Sequence, residues 1–405
     1  MAGILDGIRV IEIASMAAAP SATVMLADHG AEVIKIDPLE GDPWRNGHLT
    51  PGMPKSNIPW TTYIQNRSKK SVALDLKKSE AQDALHKLIA TADVVLTNSP
   101  RKVQEKLRHT YEDIKAINPN AVYAWVNGFG LEGADTDAPG FDMTAWYART
   151  GAMDEFRPNT GGPVPLPIGF GDLNTATTLF SAVMTGLFHR ERTGKGSMVS
   201  TSLMGAGLWA NSSLLQAALA GTSAFPKFER EEWPNPVTGG VYKTLDNRYI
   251  IIVELNPNNI GNLFSAFNAD ELKHDERFST PKLISQNHQA LFAEMDGIVG
   301  KHNLAEVKER LSKFGVNYSA VQTTQECIHD EHMIANGCFP DVEGTDGMRT
   351  IDSPIHIQAD GVSKVKPRTP PGVGEHTIPE LESLGYSKEQ IAALSESGVI
   401  GLPRK

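Results

Sequence analysis

The chain has 405 residues, 40% of them apolar and 21% charged, with 38 Lys and Arg against 48 Asp and Glu for a net charge of -10. This length suggests about two or three domains. The composition excludes a disordered chain, and the acidic balance argues against a general nucleic-acid binder. Cys327 and Cys338 cannot build a disulfide framework, which favours a reducing, cytoplasmic compartment. No basic stretch followed by a long apolar one opens the sequence, and no run of about 20 apolar residues is left for a membrane span. The apolar run 202–220, which holds Asn211, Ser212, Ser213 and Gln216, reads as a buried helix.

Strand and helix signals alternate over residues 1–130. Residues 9–14 form a short β-rich run, and 17–29 an alanine-rich helix that tolerates Pro20 near its start. Gly30 ends that helix, 31–37 reads as a second strand and 71–76 as a third. Ala84, Leu85, Leu88 and Ile89 form the apolar face of a helix over 79–91. Strands follow at 94–97 and 121–126 with a helix between them. This rhythm predicts an α/β fold with a parallel sheet covered on both faces. A helix over 172–192 opens after Asp172, Gly194-Lys-Gly196 turns the chain, and a strand at 198–203 leads into a helix over 205–219. Pro226, Pro234, Pro236, Gly239 and Gly240 mark a linker or loop within 221–240. A hairpin over 241–255 turns at Asp246-Asn247. The pattern then predicts helices across 258–315, irregular chain over 339–375, and one or two short helices over 377–394.

Gly128-Phe-Gly130-Leu-Glu-Gly133 fits the dinucleotide pattern, but the following Ala134-Asp-Thr-Asp-Ala-Pro-Gly140 cannot open the helix that pattern requires. A glycine turn is the better reading. Asp135 and Asp137 fail as a calcium loop, because Pro139 and Trp146 stand at later ligand positions. His329 and His332 lack a third ligand, so no metal site is expected. Asp172, flanked by glycine and an apolar helix, has two readings: an N-cap, or a nucleophilic carboxylate that substrate approaches closely. Arg67, Lys69, Lys70, Arg101, Lys102, Lys106 and Arg108 gather positive charge, as a solvated face or as a site for a phosphate-bearing anion. Strand ends near Met16, Leu74 and Asn98 would flank such a ligand in a doubly wound sheet.

An ordered set of motifs runs along the chain. It comprises Leu5-Asp-Gly-Ile-Arg-Val-Ile-Glu-Ile13, Ala19-Pro20, Leu26-Ala-Asp-His-Gly-Ala-Glu-Val-Ile-Lys-Ile36, Gly41-Asp42-Pro43, Asn66-Arg-Ser-Lys-Lys-Ser71 and Ala92-Asp-Val-Val-Leu-Thr-Asn98. It continues with Gly171-Asp-Leu-Asn-Thr175, His189-Arg-Glu-Arg-Thr-Gly-Lys-Gly196, Gly374-Glu-His-Thr377 and Leu384-Gly-Tyr386. Together these resemble the class III CoA-transferase family, to which formyl-CoA and carnitine CoA-transferases belong. The resemblance implies that Asp172 carries the acyl and CoA groups in turn, through mixed anhydrides and an aspartyl-CoA thioester. It implies coenzyme A and acyl-CoA as substrates, a carboxylic acid acceptor, no permanently bound cofactor, and neither nucleic acid nor membrane as partner. It further implies a Rossmann-like large domain made from both chain ends (1–210 and 326–405), a linker at 211–228, a smaller α+β domain at 229–325, and an interlocked homodimer.

Met16, Ala17, Ala18, Leu74, Asn98, Lys106 and Leu203 match the family's CoA contacts, and Arg101 and Asn127 are carried as further candidates. Pro38 and Asn127 stand where relatives have arginine and lysine. Phosphate contacts are therefore expected through Arg67, Lys69, Arg101 or Lys102. Thr238-Gly239-Gly240 matches the family's glycine-rich loop, a lid over the reacting groups. Pro139-Gly-Phe-Asp-Met-Thr-Ala145 with Ala148-Arg149 is similar to transferases for 2-hydroxy acids of the phenyllactate type. Trp44, Trp60, Tyr63, Phe141, Trp146 and Tyr147 either line an apolar acyl pocket or pack in the core, and Arg45 or Arg149 is the candidate partner for the acceptor's carboxylate. The same fold serves α-methylacyl-CoA racemases, which carry a histidine at the position of Phe141. A phenyl ring exchanges no proton, so an isomerase is the weaker alternative, beside a catalytically silent CoA-binding protein.

Overall fold

The computed structural model describes residues 3–157, 160–165, 167–222 and 227–403; Pro226 of the linker motif lies outside them. The chain forms two compact units. One combines Met1–Asp154, Pro165–Ser223 and Ala335–Lys405, the other Glu155–Val164 and Ala224–Ile334. The strands are β1 (Arg9–Ile13), β2 (Glu32–Asp37), β3 (Lys70–Leu74), β4 (Val94–Thr97), β5 (Val122–Asn127), β6 (Ser197–Ser202), β7 (Thr238–Lys243), β8 (Tyr249–Val253), β9 (Tyr318–Ala320) and β10 (Ile400–Gly401).

The first unit is built on a seven-stranded sheet in the order β10-β3-β2-β1-β4-β5-β6. β1 to β6 run parallel, and β10 is antiparallel to β3. The first unit's helices are α1 (Ala18–Asp28), α2 (Trp60–Asn66), α3 (Ser79–Ala90), α4 (Arg101–Leu107), α5 (Tyr111–Ile117), α6 (Ala152–Glu155, whose last residue falls in the second unit), α7 (Phe170–Thr193), α8 (Leu203–Ala210) and α9 (Ser212–Leu219), followed by two near the chain's end. Alternate strand residues point to opposite faces. Val10, Val33, Val94 and Val122 therefore pack under α1 and α7, while Ile11, Ile34, Val72, Val95 and Tyr123 pack under α3, α5 and the late helices Thr377–Ser383 and Lys388–Glu396. Both faces of the central strands are covered, so β4 and β5 read as near-continuous apolar runs. The late segment is tied in by charge as well: Glu380 accepts from Lys70 Nζ at 2.7 Å and from Arg9 at 2.6 Å.

The structure corrects three expectations. Two helices, not one, join β4 to β5, because Arg108 takes a left-handed conformation (φ 56°) and ends α4. The helix expected over 205–219 is broken at Asn211, whose amide turns to donate to the Thr150 carbonyl at 3.1 Å. The apolar run there is buried only at its start: Leu203 and Ala206 are covered, but Trp209 is 80% and Leu219 81% exposed, and α9 buries no residue. Among the described residues, nothing covers Trp209 or Leu219.

The second unit holds the antiparallel sheet β7-β8-β9 and helices that include α10 (Ile260–Ala266), α11 (Pro281–Gln286), α12 (His288–Val299) and α13 (Leu304–Lys313). Tyr242, Ile250, Ile252, Phe264, Leu291, Met295 and Val307 form its core. The β7–β8 hairpin closes with Thr244 N–H donating to Arg248 O at 2.9 Å, and with Asn247 at a positive φ of 58°.

His109, between α4 and α5, is fully buried, and among the described residues neither ring nitrogen makes a well-formed hydrogen bond. Burial lowers its pKa to about 4, opposed in part by the Leu107 carbonyl and Asp113. The unfolded imidazole titrates near ~6.5. The neutral ring's contribution is therefore complete above that pH and is lost as pH falls toward the folded value. Urea unfolding at pH 7.5 and pH 4.5 is expected to show wild type losing about 2–3 kcal/mol more than His109→Leu on acidification. Equal losses would remove His109 as the acid-sensitive group.

Candidate active site

β1 and β4 pair at the centre of the sheet, and the chain continues outward from them in opposite directions, to β2 and to β5. That switch opens a crevice at the strands' carboxyl ends, the usual ligand position in such sheets. Asn98 spans it, donating through Nδ2 to Ser15 O at 2.8 Å and accepting from Ser15 N–H at 3.2 Å. Two cavities meet at Asn98. One, of about 530 Å³, is lined by Pro38, Leu74, Lys77, Lys106 and others. The second, of about 310 Å³, is lined by Met16, Ala17, Ala18, Asn127, Phe141, Leu203 and Asp172 among others.

Asp172 is the third residue of α7, not its N-cap. That place belongs to Gly169 at φ +90°, a conformation that favours glycine. Among the described residues, no hydrogen-bond donor engages the Asp172 carboxylate. Burial pushes its pKa up, and the Asp142 charge adds to this, bringing it to about 7. The helix N-terminus favours the ionised form, but here desolvation and like charge win. Asp142 opens a short π-helix, Asp142–Ala148, a local irregularity frequent at functional sites. Its carboxylate accepts from Met143 N–H and Gly169 N–H, both at 2.7 Å, and so fixes the entry to α7.

Gly171 lets this packing happen. A methyl group there would meet Trp146 Cβ and Cγ at 2.8 Å, and Trp146 is itself buried in a small core with Ala18, Ala145, Tyr147, Leu203 and Ala206. Gly171→Ala must displace either the indole or the turn that carries Asp172. If Asp172 is the reacting group, a misplacement of this size is expected to lower kcat about 10²-fold in a protein that still folds, read by turnover alongside a thermal melt. An unchanged kcat would show that the turn tolerates the shift.

The remaining sequence candidates are placed as follows. Leu74, Asn98 and Lys106 border the larger cavity, and Lys77 borders it too, a residue the sequence reading did not single out. Asn127 exchanges two bonds with Gly130, both at 2.8 Å, so its amide shapes the loop that follows. Arg101 opens α4 with an exposed side chain 3.7 Å from Glu105. Arg45 is held by Asp37 and by Pro371 O, both at 2.7 Å, and Arg149 by Asp135 at 2.9 Å, so neither guanidinium is idle. Of the six aromatics considered for an acyl pocket, Phe141 lines the smaller cavity, while Trp146 and Tyr147 belong to the core beneath it.

The basic cluster divides on folding: Arg101, Lys102 and Lys106 stay at the surface or the cavity rim, while Arg67, Lys69 and Lys70 are taken up by carboxylates. Arg67 is buried against Asp28 at 2.7 Å, Lys69 against Glu12 at 2.6 Å, and Lys70 pairs with Glu32 and Glu380, so Arg67 and Lys69 do not face a ligand. Gly239 and Gly240 lie in the second unit, in β7 at a register shift rather than in an open loop. No side chain fits at either: a Cβ would meet Trp233 at 2.9 Å or Pro236 O at 2.1 Å.

Residues 5–377 match the family model described as CoA-transferase family III. The chain is 29% identical over 402 residues to the (R)-2-hydroxy-4-methylpentanoate CoA-transferase of Clostridioides difficile, spanning 98% of this chain and 99% of that protein. It is 29% identical over 402 residues to the cinnamoyl-CoA:phenyllactate CoA-transferase of Clostridium sporogenes, spanning 96% of each. The crystal structure of a CAIB/BAIF family protein from Brucella suis aligns with a TM-score of 0.84 at 27% identity, over 95% of this chain and 100% of that one.

Proposed function

Because the chain belongs to CoA-transferase family III, an enzyme class that acts on CoA thioesters, we propose that it moves CoA between carboxylic acids with Asp172 as the covalent carrier. The observation that carries this reading is an unbonded carboxylate with a pKa near 7 in the wall of the strand-end cavity. An Asp172 oxygen attacks the thioester carbonyl, the C–S bond breaks, and CoA leaves as thiolate beside a mixed anhydride. The thiolate attacks the Asp172 carbonyl, releasing the donor acid and leaving an aspartyl-CoA thioester. The acceptor carboxylate attacks that thioester, and the thiolate then takes the acceptor acyl group from the second anhydride. No water enters the balance, so the thioester's energy is kept through similar covalent steps.

The strand order β3-β2-β1-β4-β5-β6 supports a Rossmann-like site. CoA would run from Lys77 and Lys106 past Asn98 to Asp172. The 2-hydroxy acids named for the two clostridial relatives support a 2-hydroxy or related 2-enoic acceptor, with Phe141 against its apolar part. The exposed Trp209 and Leu219 support burial in an interlocked homodimer. No described helix is long and apolar enough to cross a membrane. A cytoplasmic site, where CoA thioesters are made and used, accords with two unpaired cysteines.

Incubation with a panel of 2-hydroxyacyl- and enoyl-CoAs, then hydroxylamine, tests the reading by peptide mass spectrometry. A hydroxamate on Asp172 is the expected product. Proton exchange at the substrate's α-carbon, with neither adduct nor CoA exchange, would turn the assignment to an isomerase.

A further inference from the structure

Of two sequence motifs, Gly41-Asp42-Pro43 and Asn66–Ser71, only Pro43 lines either cavity at Asn98, yet both motifs converge on one backbone turn. Met16, in the wall of the Asp172 cavity, has φ +69°. The left-handed region is unfavourable for a non-glycine residue, and such strain persists only where surrounding structure imposes it. Ser15 is held by Asn98, as described above. Met16 N–H donates to Asp42 Oδ1 at 3.2 Å, and the same oxygen accepts from Trp44 N–H at 2.9 Å.

Asp42 is 3% exposed, and its other oxygen lies 3.0 Å from Lys35 Nζ. Lys35 also donates to Glu12 Oε1 and to Ala14 O, both at 2.7 Å. Glu12 Oε2 accepts from Lys69 Nζ at 2.6 Å and from Thr23 at 2.5 Å. Lys69 also donates to Pro20 O at 2.9 Å, inside the first turn of α1. Two buried carboxylates and two buried ammonium groups thus grip the chain at residues 14, 16 and 20, on both sides of the cavity-lining Ala17 and Ala18.

We propose that Asp42 is a positioning residue for CoA transfer: through the Met16 N–H it holds residues 16–18 in the conformation that faces Asp172, and the Glu12, Lys35 and Lys69 cluster fixes its carboxylate. The inference rests on the reading of Asp172 as the reacting group. An alternative in which Asp42 serves folding alone makes a different prediction, because then activity per folded molecule would not depend on the hand of residue 16.

The test compares Asp42→Asn, Asp42→Ala, and Asp42→Ala combined with Met16→Gly. Glycine reaches the left-handed turn without strain and so replaces what Asp42 supplies. Readouts are kcat and KM for acyl-CoA in CoA exchange, hydroxamate on Asp172, and urea unfolding. Asp42→Ala is expected to lower kcat about 10²-fold. Asp42→Asn, which keeps the acceptor oxygen for Met16 N–H, is expected to lose less than about tenfold. The double variant is expected to recover about tenfold in kcat over Asp42→Ala without recovering stability. Should Asp42→Ala not fold, Met16→Val against Met16→Gly in the wild-type background decides, with valine, disfavoured in this region, the slower by about tenfold.

No rescue in the double variant, or equal kcat for the two Met16 variants, overturns the inference while a wild-type hydroxamate leaves the carrier reading standing. Wild-type exchange with no hydroxamate on Asp172 overturns the carrier reading and this inference with it.

Discussion

Asp172→Asn is expected to abolish CoA exchange, with kcat down at least about 10³-fold, because an amide forms neither the anhydride nor the aspartyl thioester. In the wild type, exchange should rise as pH increases through about 7 and then level off, since only the ionised carboxylate attacks and its pKa is raised to about 7. Asp142→Asn removes the neighbouring charge while keeping an acceptor for Gly169 N–H, and should move that midpoint down. The same shift carries a stability sign. The unfolded aspartate titrates near ~3.9, below the folded group. Between those values the folded state holds the extra proton, so stability falls as pH rises from about 4 to about 7. Asp172→Asn avoids this penalty. Its thermal midpoint should exceed that of wild type at pH 8 and match it at pH 4. Retained exchange in the variant, or a wild-type rate indifferent to pH between 5.5 and 8.5, would reject the nucleophile.

The largest stability effect is expected at Glu12, on the central strand β1. Its partner across to β2 is Lys35 in direct register, and Lys69 reaches it from the residue just before β3. Burial alone would raise the Glu12 pKa, but the two ammonium groups hold it down to about 2. Glu12→Ala leaves two buried cations facing each other. Breaking a buried pair in this way costs about 3–5 kcal/mol, a large share of the roughly 5–15 kcal/mol that holds an ordinary domain together. Urea unfolding measures it, and a loss under about 1 kcal/mol would mean that water or a rearranged carboxylate replaces Glu12. Replacing Glu12, Lys35 and Lys69 together with apolar residues of similar volume should restore much of the stability but leave Asp42 without its partner. Stability and turnover should then part company.

The legibility of this chain follows the range over which each interaction acts. Periodicity and capping are local, so the strands at 94–97 and the helix at 79–91 were readable to within a residue. The proposed role of Asp172 was not locally legible: the residues alone allowed a cap, and only the ordered family motifs favoured a nucleophile. Asp142 could not be found from spacing, because its role depends on Gly169, 27 residues later. Arg67 and Lys69 looked like phosphate ligands because positive charge is visible in a sequence, whereas Asp28 and Glu12, the carboxylates that bury them, lie 39 and 57 residues away. Lys77 had a usable signal, since it follows the end of β3 in the crevice that the strand order creates. The two-residue β10 was too short to carry any pattern.

That last strand has a consequence for synthesis on the ribosome. β10 pairs with the outer edge of β3, and Glu380 bridges to Arg9 and Lys70 on the first and third strands. Residues 224–334, most of the second unit, are contiguous and emerge earlier. A released chain ending at residue 335 is therefore expected to show a protease-resistant second unit and a first unit still open at β3. An unpaired edge of that kind invites aggregation. The order of completion thus runs against the order of the sequence, with the strands translated first among the last to be sealed.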